Sequence, residues 1–365
     1  DGSQVTAPHD RNIIAEVEKI TSIDQILTGA NPGNITLLGE EFDEIYLNKV
    51  HTLSLSPESV GKFHDMKIAY TPLHGAGVRL VPASLRKWGF TNVSLVEEQA
   101  VIDGNFPTVE SPNPEERKTM AKAIELGSRL GADLVLATDP DSDRIGVALR
   151  NAKGEYVLLN GNQTLSLIMA YQLTRWSELG RLDGKEFVVK TIVTSQMPNV
   201  MAAHFGVKCY DCLTGFKYIA RIIRNNEGKA TYIGGGEESF GYLAGDFVRD
   251  KDAVSACSLV AEAAAWTRDT MGLTLYEWLQ KLYVEFGFFR EGLVSVVRKG
   301  MEGAAEIQQM MVDYRADPPR EIAGSPVVKI NDFKLLESTD VRTGAKTPIE
   351  EEASNVLQWF AADGT

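Results

Sequence analysis

The hydrophobic positions of this chain switch repeatedly between a helical and an extended period. Ile13, Ile14, Val17 and Ile20 recur at helical spacing, which predicts a helix over 10–20 with Asp10 as its N-cap. Residues 28–39, rich in Gly, Asn and Pro, predict a loop. A short strand is predicted at 67–70, then a tight loop over 71–77 and a helix over 78–88. Gly89 stops that helix, and a second strand follows at 93–96. A helix over 114–130 carries Met120, Ala123, Ile124 and Leu130. It leads into 133–137, a run so uniformly apolar that a central strand is expected.

The same grammar then returns. Helices are predicted at 162–175, 198–205 and 218–224, and strands at 187–192, 207–210 and 231–233. Two helices, 251–268 and 274–285, follow without strands between them. Beyond residue 290 the pattern changes to a helix near 303–313 and strands near 326–330 and 355–360. The last residues, Ala361-Ala-Asp-Gly-Thr365, read as a hairpin turn entered and not completed. The expected fold class is α/β: two consecutive related α/β blocks with mixed sheets, followed by an incomplete block of different character.

Composition narrows the function. The 365 residues are 44% hydrophobic and 24% charged, enough to bury a core in each of two or three domains. A net charge of −13 and the lack of a basic stripe argue against nucleic acid and anionic membrane as partners. Only Cys209, Cys212 and Cys257 are present, few and odd in number for a disulfide scaffold, so a reducing cytoplasm is expected. The Cys209–Cys212 spacing has no second pair to complete a zinc site, and buried thiols are expected there. No apolar run reaches the roughly 18 residues that a membrane helix needs. The chain begins at Asp1 without a Met, and both ends read as truncations of a longer protein.

Three loops carry chemistry. Thr138-Asp139-Pro140-Asp141-Ser142-Asp143-Arg144 lies between the apolar runs 134–137 and 145–149. In extended backbone, residues two apart share a side, so Asp139, Asp141 and Asp143 converge. Three carboxylates that close repel one another, and a hard divalent cation relieves the conflict. An acidic surface turn is the plain alternative. A calcium EF-hand is rejected, because Arg144 and Arg150 stand where that loop needs Gly and Glu. Arg144 is suited to holding a phosphate bidentately. Thr71-Pro72-Leu73-His74-Gly75-Ala76-Gly77 lies at a strand-to-helix junction that favours anions, although such a turn is usually just turn geometry and a lone histidine is more often structural than catalytic. Gly234-Gly235-Gly236-Glu237-Glu238-Ser239 lets a ligand approach the backbone, with Glu237 and Ser239 placed to grip sugar hydroxyls; a solvated acidic turn is the alternative. Downstream, Arg249 and Lys251 offer cations to a phosphate, or simply salt-bridge a helix start. Thr214-Gly215-Phe216-Lys217 is a further strand-to-helix loop with a donor, a glycine and a cation.

In this order the loops resemble the signatures of the alpha-D-phosphohexomutase superfamily. Glu237-Glu238-Ser239-Phe240-Gly241-Tyr242, followed by Asp246-Phe247-Val248-Arg249-Asp250-Lys251-Asp252, resembles a phosphoglucomutase-type member. The resemblance implies four domains: residues 1–48 as the tail of the first α/β domain, 49–160 as the second with the metal loop, 161–290 as the third with the sugar loop, and 291–365 as an incomplete α+β fourth. It implies Mg²⁺ held by Asp139, Asp141 and Asp143 together with a phosphoserine, and phosphoryl transfer between O1 and O6 of a hexose phosphate such as glucose 1-phosphate, glucose 6-phosphate or the mannose phosphates. Arg144, Lys251 and His74 would stand at the reacting phosphate, and Thr214, Gly215, Lys217, Glu237, Ser239 and Arg249 at the substrate. Two departures stand out. The family's Thr-Ala-Ser-His-Asn-Pro loop is missing, since none of His9, His51, His64, His74 and His204 follows a serine, and the fourth domain's Ser-Gly-Thr loop is missing too. The 365 residues alone are therefore expected to be inactive. The rival readings are a mutase for pentose or glucosamine phosphates and a non-catalytic binder of metal and sugar phosphate.

Overall fold

The computed structural model describes residues 2–29, 32–294 and 296–365. The chain forms two compact units, Asp1–Phe289 and Arg290–Thr365.

The first unit opens with α1 (His9–Val17), whose residues are all outside the core. Ile13, Ile14, Val17 and Ile20 are about half exposed, and Pro8, not Asp10, occupies the N-cap; Asp10 lies in the first turn. The predicted loop 28–39 contains one 3-10 turn, Pro32–Asn34, with Ala30 and Asn31 outside the described residues. Then come α2 (Glu40–His51), α3 (Pro57–Lys62), β1 (Ile68–Thr71), α4 (Gly77–Trp88), β2 (Val93–Leu95), α5 (Ala121–Leu130), β3 (Leu134–Thr138), β4 (Ile145–Arg150) and β5 (Tyr156–Leu158). Gly89 ends α4 at φ 115°, a left-handed conformation that favours glycine. The helix predicted from 114 starts only at Ala121. Residues 114–120 form turns that bring Glu115 toward Arg144.

These strands make a mixed sheet of order β2-β1-β3-β4-β5. The first three are parallel, and β4 and β5 run antiparallel to them. β3 is the middle strand and wholly buried, as its unbroken apolar run predicts.

The next stretch is α6 (Gly161–Glu178), β6 (Glu186–Thr191), α7 (Met197–His204), β7 (Lys208–Cys212), α8 (Phe216–Asn225), β8 (Thr231–Gly236), β9 (Tyr242–Ala244), α9 (Ala253–Met271) and α10 (Leu275–Phe286). Its sheet runs β7-β6-β8-β9, again three parallel strands and then an antiparallel one. Read strand for strand, this repeats β2-β1-β3-β4. The carboxylate loop between β3 and β4 and the Glu237–Gly241 turn between β8 and β9 therefore occupy equivalent hairpins of two copies. Apolar side chains of α4, α6 and α9 join the two sheets in one core that includes Val81, Leu85, Leu165, Leu259 and Trp266. None of the described helices is long and apolar enough to cross a membrane.

The second unit holds α11 (Gly300–Ala316), β10 (Glu321–Ile322), β11 (Ser325–Asp332), β12 (Glu337–Asp340), β13 (Lys346–Pro348) and β14 (Leu357–Ala361). Its antiparallel sheet has the order β10-β11-β12-β13, with β14 paired to β11. Arg315 on α11 ties helix to sheet through both oxygens of Asp332, at 3.2 and 3.0 Å.

Candidate functional site

The carboxylate loop leaves β3 and turns at once. Asp139 is buried, and its Oδ1 accepts hydrogen bonds from the amides of Asp143 (3.1 Å) and Arg144 (3.0 Å). Ser142 sits at φ 60°, an unusual conformation for a residue with a side chain, and so completes a tight reversal. The expected convergence of Asp139, Asp141 and Asp143 is present, with one oxygen of each within 4.8 Å of the others. The cause differs from the expected one: a turn gathers them, not the alternation of an extended strand.

The 71–77 loop packs against this turn. The Ala76 amide donates to the Pro140 carbonyl at 2.8 Å. A Cβ on Gly75 would lie 2.2 Å from Pro140 Cα, so only glycine permits that approach. His74 is buried in this buttress. Its Nδ1 lies 2.9 Å from the Val101 carbonyl and its Nε2 2.8 Å from Thr108 Oγ1, so both ring nitrogens are engaged within the loop. In this structure the ring is thereby held by Val101 and Thr108.

The second copy approaches from the other side. Arg144 forms an antiparallel bridge with Gly241, and the Ile145 amide donates to the Phe240 carbonyl at 3.1 Å. Lys251 reaches across, with Nζ 2.9 Å from Asp143 Oδ2. Its stem passes over Gly241, where a Cβ would meet Lys251 Cδ at 2.2 Å. The Ala253 amide, first in α9, donates to the Ser142 carbonyl at 3.1 Å. Asp252 caps α9 by accepting from the Val254 and Ser255 amides, and also accepts from Tyr46 Oη at 2.7 Å.

Glu237 is buried, and its Oε1 accepts from the Gly215 amide at 2.9 Å, which joins the glycine-rich loop to the entry of α8. Gly215 has φ 119°. Thr214 is exposed beside it, and Lys217 lies over the Tyr218 ring at 5.2 Å. Ser239 is half-buried in the β8–β9 turn. The glycines run differently from the expected loop: Gly234–Gly236 complete β8, because a Cβ on Gly235 would lie 2.2 Å from the Val189 carbonyl oxygen on the neighbouring strand. Arg249 is buried, donating from Nη2 to Glu227 and from Nε to the Asp246 carbonyl.

The charges explain themselves through burial. Burial lifts Asp139 to about 7, and repulsion from Asp143 and Asp141 adds to it, while the Arg144 amide opposes. Burial also raises Glu237, against the Gly215 amide and Lys251. Burial pulls Lys251 down, yet the hydrogen bond and charge of Asp143 outweigh it and leave the amine raised. Arg144 Nε lies 3.6 Å from both Asp139 Oδ2 and Asp143 Oδ1, too far for a hydrogen bond. Asp143 Oδ1 is accordingly a buried oxygen without a hydrogen-bond partner. An all-oxygen donor set with one such orphan, and excess negative charge, fits a hard divalent cation.

Sequence patterns missed two members of the region. Glu115 pairs with Arg144 at 3.6 Å but lies in a Pro-Asn-Pro-Glu-Glu turn with no periodicity to mark it. Lys190 on β6 is fully buried, 3.0 Å from Asp211 Oδ1; a charge inside the apolar run Phe187-Val-Val-Lys-Thr191 was the available signal.

Comparison with known proteins gives a consistent pattern. "Phosphoglucomutase/phosphomannomutase, alpha/beta/alpha domain II" matches residues 44–154, and "alpha/beta/alpha domain III" of the same description matches 160–286. Phosphoglucomutases of Staphylococcus aureus strains MRSA252 and N315 are each 32% identical over 368 residues, and the match takes in 100% of this chain. The chain spans 65% of the length of these curated relatives. Among solved structures, the open form of pp63/parafusin, a phosphoglucomutase from Paramecium, aligns with 96% of this chain and 59% of its own, at a TM-score of 0.59 and 15% identity. A phosphoglucomutase/phosphomannomutase family protein from Burkholderia thailandensis aligns with 78% of this chain and 54% of its own, at a TM-score of 0.54 and 18% identity. At these identities the two structures speak to the fold.

Proposed function

Because the chain belongs to the phosphoglucomutase/phosphomannomutase family of the alpha-D-phosphohexomutase superfamily, we propose that it is the metal- and sugar-binding part of a phosphohexomutase, an isomerase-class phosphotransferase. The reaction proposed is the Mg²⁺-dependent interconversion of hexose 1-phosphate and hexose 6-phosphate through a phosphoserine outside these 365 residues. One observation carries this reading: three carboxylates gathered within 4.8 Å on a hairpin that is bridged, through Arg144 and Gly241, to the equivalent glycine-rich hairpin of a second α/β copy. A metal loop and a hydroxyl-reading loop thereby face one another.

Asp139, Asp141 and Asp143 would hold Mg²⁺, which when bound would offset negative charge on the transferring phosphoryl group. Arg144 would support that phosphate from the side on which Glu115 steadies its guanidinium. Glu237, fixed by the Gly215 amide, and Ser239 would read hydroxyls of the sugar. Thr214, Gly215, Lys217, Arg249 and Lys251 would line the anionic end of the substrate, and His74 would position the metal loop from behind. The domain division 1–48, 49–160, 161–290 and 291–365 and a cytoplasmic setting belong to the same proposal. Glucose and mannose phosphates are preferred over pentose or glucosamine phosphates on the Glu237-Glu238-Ser239 loop. The test is turnover of glucose 1-phosphate and mannose 1-phosphate by a protein extended to the length of these relatives, with and without EDTA. Turnover lost on chelation is expected, and none from the 365-residue chain alone. Metal-independent turnover, or activity of the chain by itself, would refute the assignment of roles.

A further inference from the structure

We infer that the Lys251 ammonium is the resident counter-ion of the carboxylate loop, and that a divalent cation displaces it from Asp143 when the loop loads. The inference rests on the proposed metal centre and concerns how this chain's own side chains respond to it.

Lys251 follows β9, in the second α/β copy, yet its Nζ lies 2.9 Å from Asp143 Oδ2 in the first. Arg144 also faces the trio, but at 3.6 Å, and its Nε is a buried donor without a partner. Arg144 therefore offsets charge from a distance, whereas Lys251 makes the charge-assisted hydrogen bond. A doubly charged ion drawn to the same three carboxylates would sit close to that ammonium. Like charges so near one another repel, and the divalent ion holds the advantage of charge.

Where the amine can go is limited by its stem. A Cβ on Gly241 would overlap Lys251 Cδ, so the aliphatic chain lies pressed against that backbone and only the end of the side chain is free to swing. Glu237 and Asp250 already act on the amine electrostatically, and the Phe216 ring lies 6.0 Å from Nζ. These groups mark a second seat beside the Glu237–Gly215 contact. Metal loading would thus move a positive charge from the carboxylate loop toward the glycine-rich loop, where the anionic substrate is proposed to lie. By linkage, an anion bound there that draws Lys251 away would in turn strengthen metal binding.

The test is a calorimetric titration of Mn²⁺ into the 365-residue chain and into Lys251→Met, Lys251→Gln and Lys251→Arg, at one pH and ionic strength, with thermal melts confirming that each folds. The neutral variants are expected to bind Mn²⁺ about tenfold or more tightly than the unsubstituted chain, since a charge-assisted hydrogen bond no longer has to be surrendered. Lys251→Arg is expected to bind like the unsubstituted chain. Unchanged or weaker binding in the neutral variants would overturn the inference, for Lys251 would then orient Asp143 toward the metal. A second measurement needs no substitution: Mg²⁺ is expected to speed acetylation of Lys251, read by peptide mass spectrometry, and an unchanged or slower rate counts against displacement. If neither the unsubstituted chain nor any variant binds Mn²⁺, the metal centre itself falls, and this inference with it.

Discussion

Asp139 links the pH dependence of folding to the proposed metal site. Its value of about 7, against an ordinary 3.8, means that the folded chain holds a proton which the unfolded chain has released over that interval. Stability from this group is fully present below the unfolded value and is lost as pH rises through the folded one. Metal-free chain should therefore lose this group's contribution to stability as pH rises from about 4 to about 7. Urea melts across that range check this, and Asp139→Asn should flatten the slope while abolishing Mn²⁺ binding. The carboxylate trio was legible because repulsion among near neighbours in the chain is a local fact. Glu115 was not, since its meeting with Arg144 requires residues 114–120 to remain outside the helix. His74 was legible only as a choice between two roles, and the contacts of its ring with Val101 and Thr108 could not be read from the chain because they join residues 27 and 34 positions apart.

The two equivalent hairpins make glycine positions the sharpest probes of how elements meet. Gly75→Ala would place a Cβ 2.2 Å from Pro140 Cα, and backbone cannot yield as a side-chain tip can. It is expected to cost about 2–3 kcal/mol and to weaken Mn²⁺ binding, because the displaced segment carries the carboxylates proposed to hold the metal. Gly61 in α3 is the control: it is exposed, and a Cβ there meets nothing within 4 Å. Gly61→Ala should stabilise by about 0.5–1 kcal/mol through helix propensity and leave metal binding alone. Thermal melts with Mn²⁺ calorimetry separate the two. Helices and strands with clean periods, such as α4 and β3, were predicted within a residue or two of their bounds. The glycine run was misplaced because glycine signals a loop locally, whereas here close strand packing on Val189 requires it inside β8.

Across the first unit, the two α/β copies are joined by polar clamps as well as apolar packing. Glu262 on α9 is fully buried and accepts from the Ser54 hydroxyl, the Leu55 amide (2.9 Å), the Ser56 amide (3.1 Å) and Tyr171 Oη (2.8 Å). Burial raises its pKa, and those donors oppose the rise. Glu262→Ala would orphan several buried donors at once, so a loss of about 3 kcal/mol is expected, read as a lower urea midpoint at unchanged slope. An unshifted midpoint would mean that water replaces the carboxylate without penalty. The apolar stripe of α1 marks the opposite case: periodicity predicted the helix, and Ile13, Ile14 and Val17 are nonetheless more than half exposed.

Element order, the repeated α/β grammar and the carboxylate trio all followed from residues close together in the chain, because periodicity, turn chemistry and charge repulsion act over a few positions. The pairing of Arg144 with Gly241, the reach of Lys251 to Asp143 and the capture of Glu237 by the Gly215 amide join residues that are 97, 108 and 22 positions apart. The first two depend on how the two sheets pack around α9 and the third on how loops of one copy meet, and packing between distant segments leaves no local mark on the residues that it brings together.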